Sequence, residues 1–263
     1  MKATQKAGPV PKEFPSVQFL YSSSPDGVDT NLLVLLHGLG DQPANFMQFG
    51  KKMQLPQTAL LAIKGPSPIP FFEGTGWAPA FDQEGNEIPP SDRAVRDGIK
   101  KTRGLLATFL EEAILTGQST SRNRWHAKNV FLLGFSQGGA AAVDLALLNG
   151  SVVLGGVVSI SGLPSPESYP HQNTLKPNLG LKILVTHGSA DETLPKSEWK
   201  ARAAFVRNLV GTNGELKVHE VAGKGHGMPT TETEMREIMK FFGANLGLRN
   251  LALEAMSDVY EVK

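Results

Sequence analysis

The chain has 263 residues, 26 Lys plus Arg against 25 Asp plus Glu, six His and no Cys, a size that suits one large domain or two small ones. A formal charge of +1 gives no electrostatic ground for binding nucleic acid or an acidic membrane, and the missing cysteine excludes disulfide scaffolds, thiolate metal sites and cysteine nucleophiles. No run approaches the roughly 20 apolar residues of a membrane span. The basic N-terminal stretch lacks the apolar centre of a secretory signal, so a cytoplasmic protein with no transmembrane segment is expected.

In chain order, residues 1–16 read as a loose leader, and a single α/β domain is expected over 17–248. Short apolar runs at Val17–Tyr21, Leu32–His37 and Ala59–Lys64 read as strands. Gly65–Pro90 then carries six prolines beside Phe71, Phe72, Trp77 and Phe81, which predicts a long ordered loop serving as a lid or binding wall. Apolar residues at helical spacing from Val95 to Ile114 predict a helix over Asp92–Leu115, with Asp92 at its N-terminal turn. Strands follow at Val130–Phe135, Val152–Ile160 and Leu181–His187, with helices at Gln137–Leu148, Ser197–Val210 and Glu232–Leu246. Leu216–Val221 alternates polar and apolar residues, as an edge strand does. The alternation predicts a mostly parallel central sheet covered by helices on both faces. The tail, 249–263, reads as one short helix with a frayed end.

The strand Val130–Phe135 runs into Gly134-Phe135-Ser136-Gln137-Gly138-Gly139 and then a run of alanines. This is a G-x-S-x-G pattern between a strand and a helix, where the serine sits on a strained turn and the helix N-terminus faces developing negative charge. Side chains at Gly134 and Gly138 would collide with neighbouring backbone. The plainer reading is a strand–helix turn whose serine caps the helix.

A serine hydroxyl needs a base, and the base needs an acid to orient it. Asp191 follows the strand Leu181–His187, and His226 lies between Gly225 and Gly227 after the strand Leu216–Val221. The order Ser136, Asp191, His226 is that of the α/β-hydrolases. Glu192 is the competing acid. His187 closes its strand and is expected to make a structural hydrogen bond near the acid loop; His219 reads as a surface residue, and His126 and His171 fall in polar loops. Two backbone donors are needed for the oxyanion. Gln137 N–H follows the nucleophile, and Leu39 N–H lies in the turn His37-Gly38-Leu39-Gly40-Asp41, where His37 reads as a loop brace. No cluster has metal-ligand spacing, and the glycine turns match no phosphate or dinucleotide fingerprint, so no cofactor and no metal are expected.

Together HGLGD, GFSQGG, HGSADETLP and the GHG turn resemble the phospholipase/carboxylesterase group that includes the acyl-protein thioesterases. The likeness runs from about Leu32 to Phe242. It implies a single α/β-hydrolase domain without a cofactor, hydrolysing carboxylic esters or thioesters in the manner of lipid-metabolising esterases. It gives Ser136 as nucleophile, Asp191 and His226 as its partners, and Leu39 and Gln137 as oxyanion donors. The sequence departs from the group after Asp41, at Gln42-Pro43-Ala44-Asn45-Phe46, and over Trp77–Asp82, which is longer; both departures fall on the walls of the substrate groove. Phe46, Phe71, Phe72 and Trp77 are the candidates for that groove. The expected partner is a small ester or acyl substrate, with an acylated protein as a further possibility, and monomer and homodimer are both compatible. Two alternatives stand beside the esterase reading: a serine peptidase on the same fold, and a non-catalytic binding protein.

Overall fold

A computed structural model describes residues 5–115, 124–149, 152–171, 175–177 and 180–250. Nine strands and five α-helices are defined among them: β1 (Phe19–Ser22), β2 (Asn31–Leu36), α1 (Pro43–Met53), β3 (Thr58–Ile63), β4 (Ser67–Ile69), β5 (Phe72–Gly76), α2 (Arg93–Phe109), β6 (Val130–Phe135), α3 (Gln137–Leu148), β7 (Gly156–Ile160), β8 (Lys182–Gly188), α4 (Lys196–Val210), β9 (Glu215–Val221) and α5 (Glu232–Asn245). Seven strands form one sheet in the order β1-β3-β2-β6-β7-β8-β9, all parallel except β1.

The inner strands β2, β3 and β6 are almost wholly buried, because helices cover both faces and neither side of the pleat meets water. Alternate residues serve two cores. Leu32, Val34, Leu36 and Leu132 pack with Leu106 and Phe109 of α2, Val143 of α3 and Val206 of α4. Leu33, Leu35, Phe131 and Leu133 pack with Phe46 and Met47 of α1 and with Ile238 and Phe242 of α5. This period of two is what places three helices on one face and two on the other. β9 lies at the sheet edge and is largely solvated, as its alternating sequence predicts.

Three elements differ from the sequence expectation. Residues 43–53 form α1, which was not predicted. Its Gly50 weakens the helical pattern, yet a Cβ there would press on Leu35 and Leu60, so the glycine lets α1 lie close to the sheet. The 65–90 segment contains the β4–β5 hairpin as well as loop. The helix predicted over 92–115 ends as an α-helix at Phe109 and widens into a π turn at Leu110–Ile114, where Leu115 N–H reaches Leu110 O. Asp92 does cap α2, accepting from Ala94 N–H at 2.7 Å.

Of the leader segment, Lys6 N–H donates to Asp29, and Phe14 packs edge-on against Phe109, which Phe19 also meets at a tilt. The helix expected beyond residue 250 lies outside the described residues. No helix among the described residues is long and apolar enough to cross a membrane. Phe109 joins α2, β1 and the N-terminal segment. Phe109→Ala is therefore expected to cost about 3–5 kcal/mol, seen as a lower urea midpoint at an unchanged m-value.

Candidate active site

Ser136, Asp191 and His226 each follow the carboxyl end of a parallel strand, β6, β8 and β9 in turn. Open α/β sheets place their ligands at that end. Ser136 itself has φ 53° and ψ −121°, a conformation non-glycine residues rarely adopt. The turn persists because its neighbours leave no alternative. A Cβ at Gly134 would strike the Gly138 backbone, and one at Gly138 would strike the carbonyls of Leu36 and His37. A Cβ at Gly162 would strike Ser136 O. Ser136 N–H is fixed to Ile160 O at 2.8 Å.

The serine side chain makes no capping bond to α3, against the plainer reading of that turn. Its Oγ lies 2.8 Å from His226 Nε2, while His226 Nδ1 lies 2.8 Å from Asp191 Oδ2. An ionised carboxylate can only accept, so Nδ1 carries the imidazole proton and Nε2 is left to accept from the Ser136 hydroxyl. Asp191 is buried, and its second oxygen accepts Leu194 N–H at 2.9 Å; Glu192 is exposed. The three side chains thus form a continuous hydrogen-bonded chain that can move a proton from the hydroxyl to the imidazole.

His187 departs from expectation. Its Nδ1 is buried without a hydrogen-bond partner and lies 3.7 Å from Asp191 Oδ2, beyond bonding reach. Both Asp191 oxygens are already engaged. The His187 ring is held instead by stacking on Trp199, with centroids 4.1 Å apart and planes 9° from parallel. His37 is the brace its position suggested: Nε2 accepts Gly65 N–H at 2.9 Å, which leaves Nδ1 to donate to Gly38 O at 2.7 Å. Its own carbonyl accepts from the Trp77 indole. Burial holds both His37 and His187 below the ordinary histidine range.

Gln137 has a role in its side chain that sequence reasoning missed. Oε1 accepts Trp77 N–H at 2.6 Å and Nε2 donates to Ala78 O at 3.0 Å, so one amide latches the 65–90 segment onto the β6–α3 turn that carries Ser136. Thr102 Oγ1 adds a bond to Trp77 O. The Leu39 turn is clamped from the same side, with Gly40 N–H donating to Thr75 O of β5.

The His226 loop has its own anchor, also unforeseen. Lys224, two residues before His226, is buried and places Nζ 2.6 Å from Glu234 Oε1; Thr186 of β8 donates to that oxygen at 2.6 Å. The cluster ties the His226 loop to α5 and to the strand that carries Asp191.

A cavity of about 260 Å³ opens beside Ser136 and His226, with walls from α2, α3, residues 77–90 and residues 161–169. Of the four groove candidates only Trp77 lines it. Phe72 lines an open depression on the Leu39 side, next to Ile69 and Phe81. Phe46 and Phe71 are corrections. Phe46 is 2% exposed in the core beneath the sheet, its ring 6.4 Å from that of His37, and Phe71 is 88% exposed and lines neither space. Phe46 belongs to the inward stripe of α1, and Phe71 sits at the β4–β5 turn with φ 61°, which throws its ring outward. Among the described residues no group of three His, Cys, Asp or Glu is placed to hold a metal ion.

Residues 22–246 match the family model described as phospholipase/carboxylesterase. The chain belongs to that family. An uncharacterized hydrolase of Mycosarcoma maydis is 34% identical over 203 residues, covering 74% of this chain and 72% of that protein. Acyl-protein thioesterase 1 of Debaryomyces hansenii is 28% identical over 225 residues, covering 80% and 88% respectively. Among solved structures, the esterase PE8 superposes with a TM-score of 0.66 at 21% identity, over 88% of this chain and 99% of that one. The phospholipase/carboxylesterase chain accordingly has the α/β-hydrolase fold.

Two outcomes follow from these contacts. Glu234→Ala strands the buried Lys224 charge and is expected to cost about 3–5 kcal/mol, whereas Lys224→Met combined with Glu234→Leu recovers most of it in denaturant titrations. Because His37 and His187 bind protons less readily in the folded chain than in the unfolded one, their contribution to stability is complete above the ordinary histidine value of about 6.5. It is lost as pH falls through their lower folded values. Melting temperature should therefore drop on acidification below that value, less steeply in His187→Gln.

Proposed function

We propose that the protein is a serine hydrolase that cleaves carboxylic esters or thioesters through an acyl-serine intermediate. The observation that carries this reading is the pair of 2.8 Å contacts joining Ser136 Oγ to His226 Nε2 and His226 Nδ1 to Asp191 Oδ2. As Ser136 attacks the carbonyl carbon, its proton passes to Nε2, and Asp191 stabilises the resulting imidazolium through Nδ1–H. The substrate oxygen becomes an anion held by the backbone N–H groups of Gln137 and Leu39. Gln137 is the first residue of α3, whose leading N–H groups have no partner within the helix.

The imidazolium then returns the proton to the departing alcohol or thiol. Water takes the place of the leaving group, His226 removes its proton, and the acid is released with Ser136 restored. Every proton in this sequence moves through one imidazole, so its tautomer matters more than its exposure. The cavity beside Ser136 supplies the acyl site, with Trp77, Ala140 and Ala141 in its wall.

Ser136→Ala is expected to lower kcat/KM for p-nitrophenyl acetate by at least about a thousandfold, with the urea midpoint unchanged. A fluorophosphonate should label the wild type at Ser136 and leave Ser136→Ala and His226→Ala unlabelled. Undiminished hydrolysis by Ser136→Ala would overturn the assignment.

A further inference from the structure

The cavity wall beyond Ser136 carries charged side chains as well as apolar ones. α3 turns Gln137, Ala140, Ala141 and Asp144 toward the cavity, the i, i+3, i+4, i+7 stripe of one helix face. Asp144 lies eight residues beyond Ser136, about 12 Å along the helix axis. The two alanines between them leave the wall smooth, and Val95 and Ile99 of α2 keep it apolar. That wall then meets a polar cluster in which Asp144 and Tyr169 are buried and Arg103 is partly exposed. Arg103 Nη1 bonds Asp144 Oδ1 at 2.8 Å, and the Tyr169 hydroxyl donates to the same oxygen. All three residues line the cavity.

The donors in this cluster are not used up. Burial and the neighbouring Asp144 push the Tyr169 hydroxyl well above its ordinary range, so it stays protonated and serves Asp144. Arg103 makes its one hydrogen bond to a described residue through Nη1, leaving the Nε and Nη2 edge of its guanidinium. Arg202 brings a second guanidinium to the lining, but it is committed to Glu198 and to Leu163 O. Two cations and one carboxylate therefore line the cavity, with Glu198 attached to Arg202 outside the lining. Ser161, which follows β7 at the Ser136 end of the lining, is 1% exposed and its Oγ has no hydrogen-bond partner. An alkyl chain would leave the open guanidinium edge of Arg103, whose side chain is 20% exposed, without a partner of opposite charge.

We propose that the cavity takes linear acyl groups that end in a carboxylate, the half-esters or half-thioesters of dicarboxylic acids, with the Nε/Nη2 edge of Arg103 receiving the distal carboxylate. Guanidinium binds carboxylate through two parallel N–H···O bonds, which suits the edge left open here. At roughly 1.2 Å per bond of an extended chain, the span suits a diacid of about six to eight carbons once the Ser136 and Arg103 side chains reach in. Hydrolysis of such a half-ester adds one water and yields the free diacid and the alcohol. The proposal rests on the esterase reading above.

The test is a matched pair of series, p-nitrophenyl alkanoates against p-nitrophenyl monoesters of linear diacids of equal length, with p-nitrophenyl acetate as reference. The wild type should prefer the diacid esters at six to eight carbons by about ten- to a hundredfold in kcat/KM. Arg103→Met should abolish that ratio through loss on the diacid series, and Arg103→Lys should restore part of it. Arg103→Leu combined with Asp144→Leu leaves no lone buried charge, and it should also lose the ratio while remaining folded. A wild-type preference for alkanoates, or a ratio unchanged in Arg103→Met, overturns the proposal. Failure to hydrolyse even the acetate ester would instead remove the esterase reading, and this proposal with it.

Discussion

The contact between the β6–α3 turn and the end of β2 is the constraint on which the rest of the site depends. Gly138 lies against the carbonyls of Leu36 and His37, and Gly134 lies against Gly138, so two strands and one helix meet with no side chain between them. That approach forces Ser136 into φ 53° and turns its hydroxyl away from α3 and toward His226. It also brings the His37–Asp41 turn beside the start of α3, where both backbone donors assigned to the oxyanion originate. A strained residue persists when its surroundings over-determine it. Here they are backbone atoms, which cannot yield as a flexible side chain would.

Much of this was legible in the sequence, for identifiable reasons. β2, β6 and β8 are buried on both faces and therefore read as unbroken apolar runs, while β9 at the edge alternates. Ser136, Asp191 and His226 stand at strand ends because that is where a parallel sheet turns its chain. Side-chain destinations were harder. Phe46 and Phe71 are both phenylalanines near the expected groove, yet one faces the core from α1 and the other faces solvent from a hairpin turn. Periodicity could have settled Phe46 had α1 been recognised; Gly50 and Pro43 obscured it. The lone Asp144 in an otherwise apolar helix was a legible sign of a buried partner, but nothing local names Arg103 or Tyr169, which lie 41 and 25 residues away. Lys224 and Glu234 pose the same problem across ten residues.

Two buried polar clusters flank the site, and they differ in kind. The Lys224–Glu234–Thr186 group faces inward and joins the His226 loop to β8, the strand that precedes Asp191. Lys224 and Thr186 both engage Glu234 Oε1, so its effect falls on the position of His226. The Arg103–Asp144–Tyr169 group instead opens on the cavity, where a guanidinium edge remains for a substrate. Placing the charged groups at the two margins leaves the space between Trp77, Ala140 and Ile99 apolar.

The Gln137 latch has a consequence for how such a site can diversify. It grips the 65–90 segment by main-chain atoms alone, Trp77 N–H and Ala78 O, and asks nothing of the side chains around them. Any sequence that presents one amide hydrogen and the next carbonyl in that register would be held equally well. The attachment of the wall is thereby separated from its chemistry. Lineages carrying this turn are free to lengthen the segment, or to exchange the residues that face the cavity, without re-engineering the joint that holds it beside Ser136.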